Sequence, residues 1–218
     1  HIHCRFCFRR HYPYEETLGE DAWEATLDYL RRHEEIHEVI LSGGDPFTLS
    51  EPQLTARCRN LEQIEHLRTL RVHSRTPVVA PDLAPSGNWL EWAATSRLQV
   101  VVMIHCNHPD ELAEDTADLF TRYRQAGLTL LNQSVLLRGV NDDEAVLERL
   151  SHTLWQQGVL PCYLHLLDRV QGTAHFEVDA ARGRQLIEYL RRRLPGYLVP
   201  RLVREEPGAP SKTPVEAP

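Results

Sequence analysis

From residue 38 onward the chain alternates short apolar runs with stretches of helical period, and this alternation limits its fold more than any other feature. Residues 38–41, 67–73, 98–104, 128–136, 159–166 and 197–203 read as strands. Residues 21–33, 51–60, 88–95, 109–126, 142–157 and 180–194 read as helices, the first with Trp23, Leu27 and Leu30 on one face. Gly127 and Gly158 stand where two of these helices should stop. Apolar strands separated by helices imply an α/β fold with a parallel sheet under helices. An open sheet and a barrel fit the pattern equally. The polar motifs Ser42–Asp45, Ser74-Arg75, His105–His108, Asn141-Asp142 and Asp168 follow strand ends, where both architectures keep their sites. After Val203 come Pro207, Gly208, Pro210 and Pro214, which read as an extended tail. With 218 residues, 42% of them hydrophobic, one globular core is expected and no second domain.

Composition narrows the partners. A net charge of -7 argues against a polyanion ligand, so neither nucleic acid nor a membrane is expected as a partner. Arg191-Arg192-Arg193 falls late in a helix, where cations suit the dipole. No apolar run nears the ~20 residues needed to span a bilayer, and no signal peptide is expected. Five cysteines, two of them in one CxxC, suit a reducing cytoplasm. The chain opens at His1 inside a motif, so a trimmed or partial chain is expected. Lys212 is its only lysine. Arginine can replace surface lysine, but it cannot replace an amine that must lose its proton to attack a carbonyl.

The opening reads His1-Ile2-His3-Cys4-Arg5-Phe6-Cys7-Phe8-Arg9-Arg10. Three readings of Cys4 and Cys7 are open. They can bind zinc together with two of His1, His3 and His11. They can form a redox pair, though that motif usually opens a helix after a strand. Or they can hold an iron–sulfur cluster from one loop. The run from Cys4 to His11 resembles the second half of the CxxxCxxC signature of radical-SAM enzymes, in the form found in lysine 2,3-aminomutases. The resemblance puts the first cysteine of that signature just ahead of His1.

Further runs extend the resemblance over nearly the whole chain. They are Ser42-Gly43-Gly44-Asp45-Pro46, His73-Ser74-Arg75-Thr76-Pro77-Val78-Val79, His105-Cys106-Asn107-His108-Pro109, Asn132-Gln133-Ser134-Val135-Leu136-Leu137 and Gly139-Val140-Asn141-Asp142. The resemblance implies a partial (β/α)6 TIM-like barrel lacking its first strand, with a core over 1–203 and a PLP-binding tail over 204–218. It implies a [4Fe–4S] cluster on Cys4 and Cys7, S-adenosylmethionine (SAM) and pyridoxal 5′-phosphate (PLP). Ser42, Gly43, Gly44, Asp45, Ser74, Arg75, Asn107, His108 and Gln133 would line the SAM and PLP pocket. Lys212 would be the catalytic lysine that carries PLP. Arg9 would pair with the α-carboxylate of a lysine substrate, and Asp168 and Glu205 with its distal ammonium.

The run His165–Gly172, followed by Ala174-His175-Phe176, resembles the branch that makes (R)-β-lysine for elongation factor P. The implied activity is that of an isomerase converting (S)-α-lysine to (R)-β-lysine. It would be served by a flavodoxin or ferredoxin and followed by an elongation factor P ligase. A catabolic aminomutase making (S)-β-lysine is the alternative within the family. A zinc-binding or inactive piece is the alternative outside it.

Overall fold

The computed structural model describes residues 4–7 and 19–215. Among them a seven-stranded sheet runs β1 (Glu38–Leu41), β2 (Thr69–Ser74), β3 (Gln99–His105), β4 (Thr129–Val135), β5 (Leu160–His165), β6 (Arg201–Arg204) and β7 (Thr213–Pro214), in that spatial order. The first six pair in parallel, and β7 pairs antiparallel with β6. The sheet curls into a half-barrel, with β1 at one edge.

The helices lie on its convex side. They are α1 (Glu20–Arg32), α2 (Glu51–Glu62), α3 (Thr76–Val79), α4 (Asn88–Thr95), α5 (Glu114–Gln125), α6 (Glu144–Gln156) and α7 (Ala180–Arg193). Each amphipathic helix buries one stripe. Trp23, Leu27 and Leu30 of α1 meet Leu54 and Leu61 of α2, Trp89 of α4 and Phe120 of α5 over Leu70, Val72, Val102 and Leu130. A second cluster joins Leu147 of α6 and Leu186, Ile187 and Leu190 of α7 to Leu164 of β5 and Leu202 of β6.

Strand side chains alternate between faces. Residues 70, 72 and 74 of β2 are buried toward the helices, so His73 points to the concave side. Register carries this layer across the sheet: His73 pairs with Met103, His105 with Gln133, Gln133 with Tyr163 and Val135 with His165. A bulge between Asn132 and Gln133 re-aims the layer at β5.

Most elements fall where the sequence places them, including the Arg191-Arg192-Arg193 helix end. Three differ. The helix expected over 109–126 begins only at Glu114; Pro109–Glu111 is a separate 3-10 turn. The strand expected over 197–203 is a 3-10 turn at Gly196–Leu198, then β6 from Arg201. Pro200 lacks the N–H a ladder needs, so pairing starts after it. The tail, expected to run past a core ending at 203, instead joins the sheet as β7. The Val215 N–H donates to the Leu202 carbonyl at 2.9 Å.

Candidate active site

The site residues gather at the carboxyl ends of the parallel strands. Cys4 to Cys7 make one tight turn, with the Cys7 N–H donating to the Cys4 carbonyl at 3.1 Å. Both thiols are free and partly buried. Burial pushes the Cys4 thiol pKa up, and the neighbouring Arg75 guanidinium works against that rise. The turn is gripped on two sides. The Phe6 ring packs edge-on to His105, centroids 5.7 Å apart, and lies 5.6 Å from the Arg75 guanidinium. Arg5 lies over the Phe176 ring at 5.3 Å and 3.4 Å from His175 Nε2.

The glycine-containing loop after β1 is a bracket. Gly43 has φ 127, a value that a side chain resists. It lets Asp45 turn back on β2. Asp45 Oδ1 accepts from the Ser74 hydroxyl at 2.7 Å and the Phe47 N–H at 3.0 Å. Its Oδ2 accepts from the N–H groups of Arg75 at 2.7 Å and Thr76 at 2.9 Å. Asp45 and Ser74 thus fix two strand-end loops to each other. Ser42 and Gly44 sit exposed in the same loop.

Asn107 is buried. Its Oδ1 accepts the Val135 N–H at 2.8 Å, and its carbonyl accepts from Asn141 Nδ2 at 2.9 Å. His108 spends its ring locally: Nδ1 accepts the Asp110 N–H at 3.2 Å and caps the 3-10 turn. Gln133 lies on the concave layer beside His105.

Lys212, just ahead of β7, donates to the Glu205 carboxylate and lies 5.7 Å over the Tyr163 ring. Tyr163 in turn meets His165 edge-on at 5.8 Å. Burial pulls the His165 pKa down to about 4, helped by the Lys212 charge and opposed by Glu205. Burial raises the Asp168 pKa; the Glu205 charge adds to the rise and Lys212 reduces it. Asp168, Glu205 and Lys212 therefore lie close enough for their charges to act on one another.

Arg9 lies outside the described residues, as do His1, His3 and His11 of the zinc alternative. Among the described residues no cluster of three or more His, Cys, Asp or Glu side chains is placed to hold a metal ion.

Four participants were not assigned from sequence: His105, Tyr163, His165 and Glu111. The first three belong to the inward-facing layer, and their alternation along the strands was the available signal. Glu111 gave none, because it read as an ordinary helical acid. The layer is chemically unfinished. Asn107 Nδ2, His105 Nε2 and His165 Nε2 are buried without a hydrogen-bond partner among the described residues. Buried polar nitrogens of this kind are costly unless a ligand pairs with them, so the concave face fits polar cofactors.

A half-barrel of parallel strands, a CxxC turn over its carboxyl ends and unpaired polar groups beneath it define the class. The profile of the radical SAM superfamily matches residues 1–150, and the chain belongs to that superfamily. Membership brings a [4Fe–4S] cluster and SAM. Solved structures repeat the fold: a Sphaerobacter thermophilus radical SAM methyltransferase (TM-score 0.61, 18% identity, 85% of this chain and 57% of that one) and Streptococcus suis SuiB bound to SAM (TM-score 0.65, 14% identity, 93% and 47%).

Within the superfamily the chain is similar to curated proteins named L-lysine 2,3-aminomutase. It is 46% identical to that of Haemophilus influenzae over 213 residues, covering 97% of this chain and 63% of the relative. It is 45% identical to that of Escherichia coli K12 over 216 residues, covering 99% and 63%. The Clostridium subterminale protein is 35% identical over 217 residues, covering 98% and 51%. The chain thus spans 63% of the length of the first two relatives.

Proposed function

We propose that the chain is the core of a lysine 2,3-aminomutase, an isomerase that converts (S)-α-lysine to (R)-β-lysine. One observation carries this reading. The chain's single lysine lies just ahead of β7 beside Glu205, Tyr163, His165 and Asp168, at the same carboxyl-end rim of the parallel strands as the cysteine turn.

When bound, the cluster and SAM would supply a carbon radical, and PLP would supply an aldehyde to hold the migrating nitrogen. The chain's own residues have separate tasks. Lys212 offers the amine that anchors PLP and must yield to the substrate amine. Glu205, hydrogen-bonded to Lys212 Nζ, is placed to take the proton this amine loses before it attacks a carbonyl. Asp168 and Glu205 bring two carboxylates to one cation, which suits the distal ammonium of lysine. Arg9 would take the substrate carboxylate. Neutral His165 and His105 keep further positive charge out of the pocket at pH 7. The gripped Cys4–Cys7 turn would help to keep water from a reaction that a stray radical would ruin.

The run His165-Leu166-Leu167-Asp168-Arg169-Val170-Gln171-Gly172 favours the elongation factor P branch. There (R)-β-lysine passes to a ligase, and a flavodoxin or ferredoxin serves as electron donor in the cytoplasm. Five free cysteines support a reducing compartment. Among the described residues no helix is long and apolar enough to cross a membrane. Chiral analysis of the product separates this branch from the catabolic one, which makes the (S)-isomer.

Borohydride reduction of the full-length protein with PLP, followed by peptide mass analysis, tests the core reading. A pyridoxyl adduct on Lys212 is expected, and Lys212→Arg should lose it. Reduction that leaves Lys212 unmodified with PLP in excess would sink the aminomutase assignment.

A further inference from the structure

The geometry points to Glu111 as a positioning residue that holds the Arg75 guanidinium on the sulfur of Cys4 and so sets the reduction potential of the cluster. The inference rests on radical SAM membership and not on the lysine substrate.

Glu111 is the last residue of the 3-10 turn at Pro109–Glu111, which interrupts the helix expected there. Its carboxylate faces inward and uses both oxygens. Oε1 accepts the N–H groups of Asn107 and His108, each at 2.9 Å. Oε2 accepts Arg75 Nη2 at 2.7 Å. The other end of the same guanidinium, Nη1, donates to Cys4 Sγ at 3.1 Å. Both side chains are mostly buried, 19% exposed for Arg75 and 22% for Glu111. A relay therefore runs from two β3-end amides, through one carboxylate and one guanidinium, to a cluster thiol.

Each link constrains the next. Two backbone donors fix the plane of the carboxylate. A fork-shaped cation on that carboxylate has its remaining nitrogen aimed in a fixed direction. The Phe6 ring, 5.6 Å from the guanidinium, closes the remaining side. Sulfur bound to iron keeps lone pairs that accept N–H donors. Such donors stabilise the reduced cluster, which carries more negative charge, and raise its potential. Arg75 alone could turn toward water. Glu111 prevents this.

Charge must be kept constant for a clean test, because neutralising Glu111 would itself move the potential. Glu111→Asp keeps the charge but shortens the arm, so the carboxylate cannot span the two amides and Arg75 together. The readout is the midpoint potential of the reconstituted cluster in the full-length protein, by redox titration followed by EPR, with iron content measured alongside. Glu111→Asp should shift the potential negative at unchanged iron content. Arg75→Gln should shift it in the same direction and further, and the double variant no further than Arg75→Gln alone. A shift for Arg75→Gln with none for Glu111→Asp would overturn the positioning role. No shift in either would show that the Arg75–sulfur contact has no hold on the cluster. If Glu111→Asp loses iron, Arg75→Lys serves as the second variant: it keeps the charge, cannot bridge Glu111 and Cys4, and must shift the potential negative. The potential is read without lysine or PLP, so failure here leaves the aminomutase reading untouched, and the converse also holds.

Discussion

Asp45 shows how one side chain can shape a site through its protein partners alone. Four donors converge on it, from Phe47, Ser74, Arg75 and Thr76. Asp45→Ala leaves all four without their acceptor in a partly buried place, where each unmet group costs about 1–3 kcal/mol and water relieves some of them. A net loss of about 3 kcal/mol is expected, read as a lower urea midpoint with an unchanged m value. A midpoint within error of the parent would show that the bracket is not holding the two loops. The sequence revealed Asp45 as an acid at a strand end followed by Pro46. It did not reveal that three of the four partners sit 29 to 31 residues away, since contacts at that range depend on strand order, which local pattern does not encode. The pairing of Arg75 with Glu111 was hidden for the same reason, the two lying 36 residues apart. Lys212 stood out because it is the only lysine in the sequence.

Among the elements, the helix ends were the most readable and the tail the least. Gly127 and Gly158 were expected to stop helices, and both do so with φ of 83 and 76. Their surroundings differ, and this separates two otherwise equal substitutions. A Cβ at Gly127 would meet nothing within 4 Å, whereas one at Gly158 would fall 2.3 Å from Arg124 Cδ. Gly127→Ala should cost only the left-handed backbone penalty, about 1–2 kcal/mol. Gly158→Ala should cost that and the displacement of Arg124 from its rest against the chain. Because Arg124 is long and can swing away, the excess should be below about 1 kcal/mol, and Arg124→Ala should remove it. Equal thermal midpoints for the two alanine variants would refute this. The short strand within the tail was not foreseen because the tail's prolines argue against one. Yet β7 needs only two residues, and a proline on the outer edge leaves no inner partner unpaired. That short pairing converts a loose arm into a fixed support for Lys212.

At the scale of the whole molecule, a polar layer inside a curved sheet has a cost that pH exposes. His105 and His165 lie on the concave face with pKa values lowered to about 3 and about 4, mainly by burial, against 6.5 when unfolded. Arg75, His165 and His73 add to the shift at His105, and Lys212 adds to it at His165. The sign follows from which state binds protons. Above pH 6.5 both states are neutral at these rings and nothing is lost. Between 6.5 and about 4 the unfolded chain takes up protons that the folded chain refuses, so stability falls as pH falls. Asp168 acts in the opposite sense: its raised pKa gives stability that is present below 3.8 and lost as pH rises through the folded value, so it softens the decline only at the acid end. From pH 7 to pH 5 each histidine should remove about 2 kcal/mol, and together about 4 kcal/mol, a large share of a domain's usual 5–15 kcal/mol. Urea midpoints of the cofactor-free protein at the two pH values measure the sum. His165→Phe should remove roughly half of the pH dependence, whatever it does to stability at pH 7. A cofactor that binds the folded state and pairs with these ring nitrogens stabilises that state and moves the acid limb lower still. An acid limb that ignores both the histidine variant and added cofactor would mean that the two rings are solvated, and that the concave face is not the dry, donor-rich pocket on which the functional reading depends.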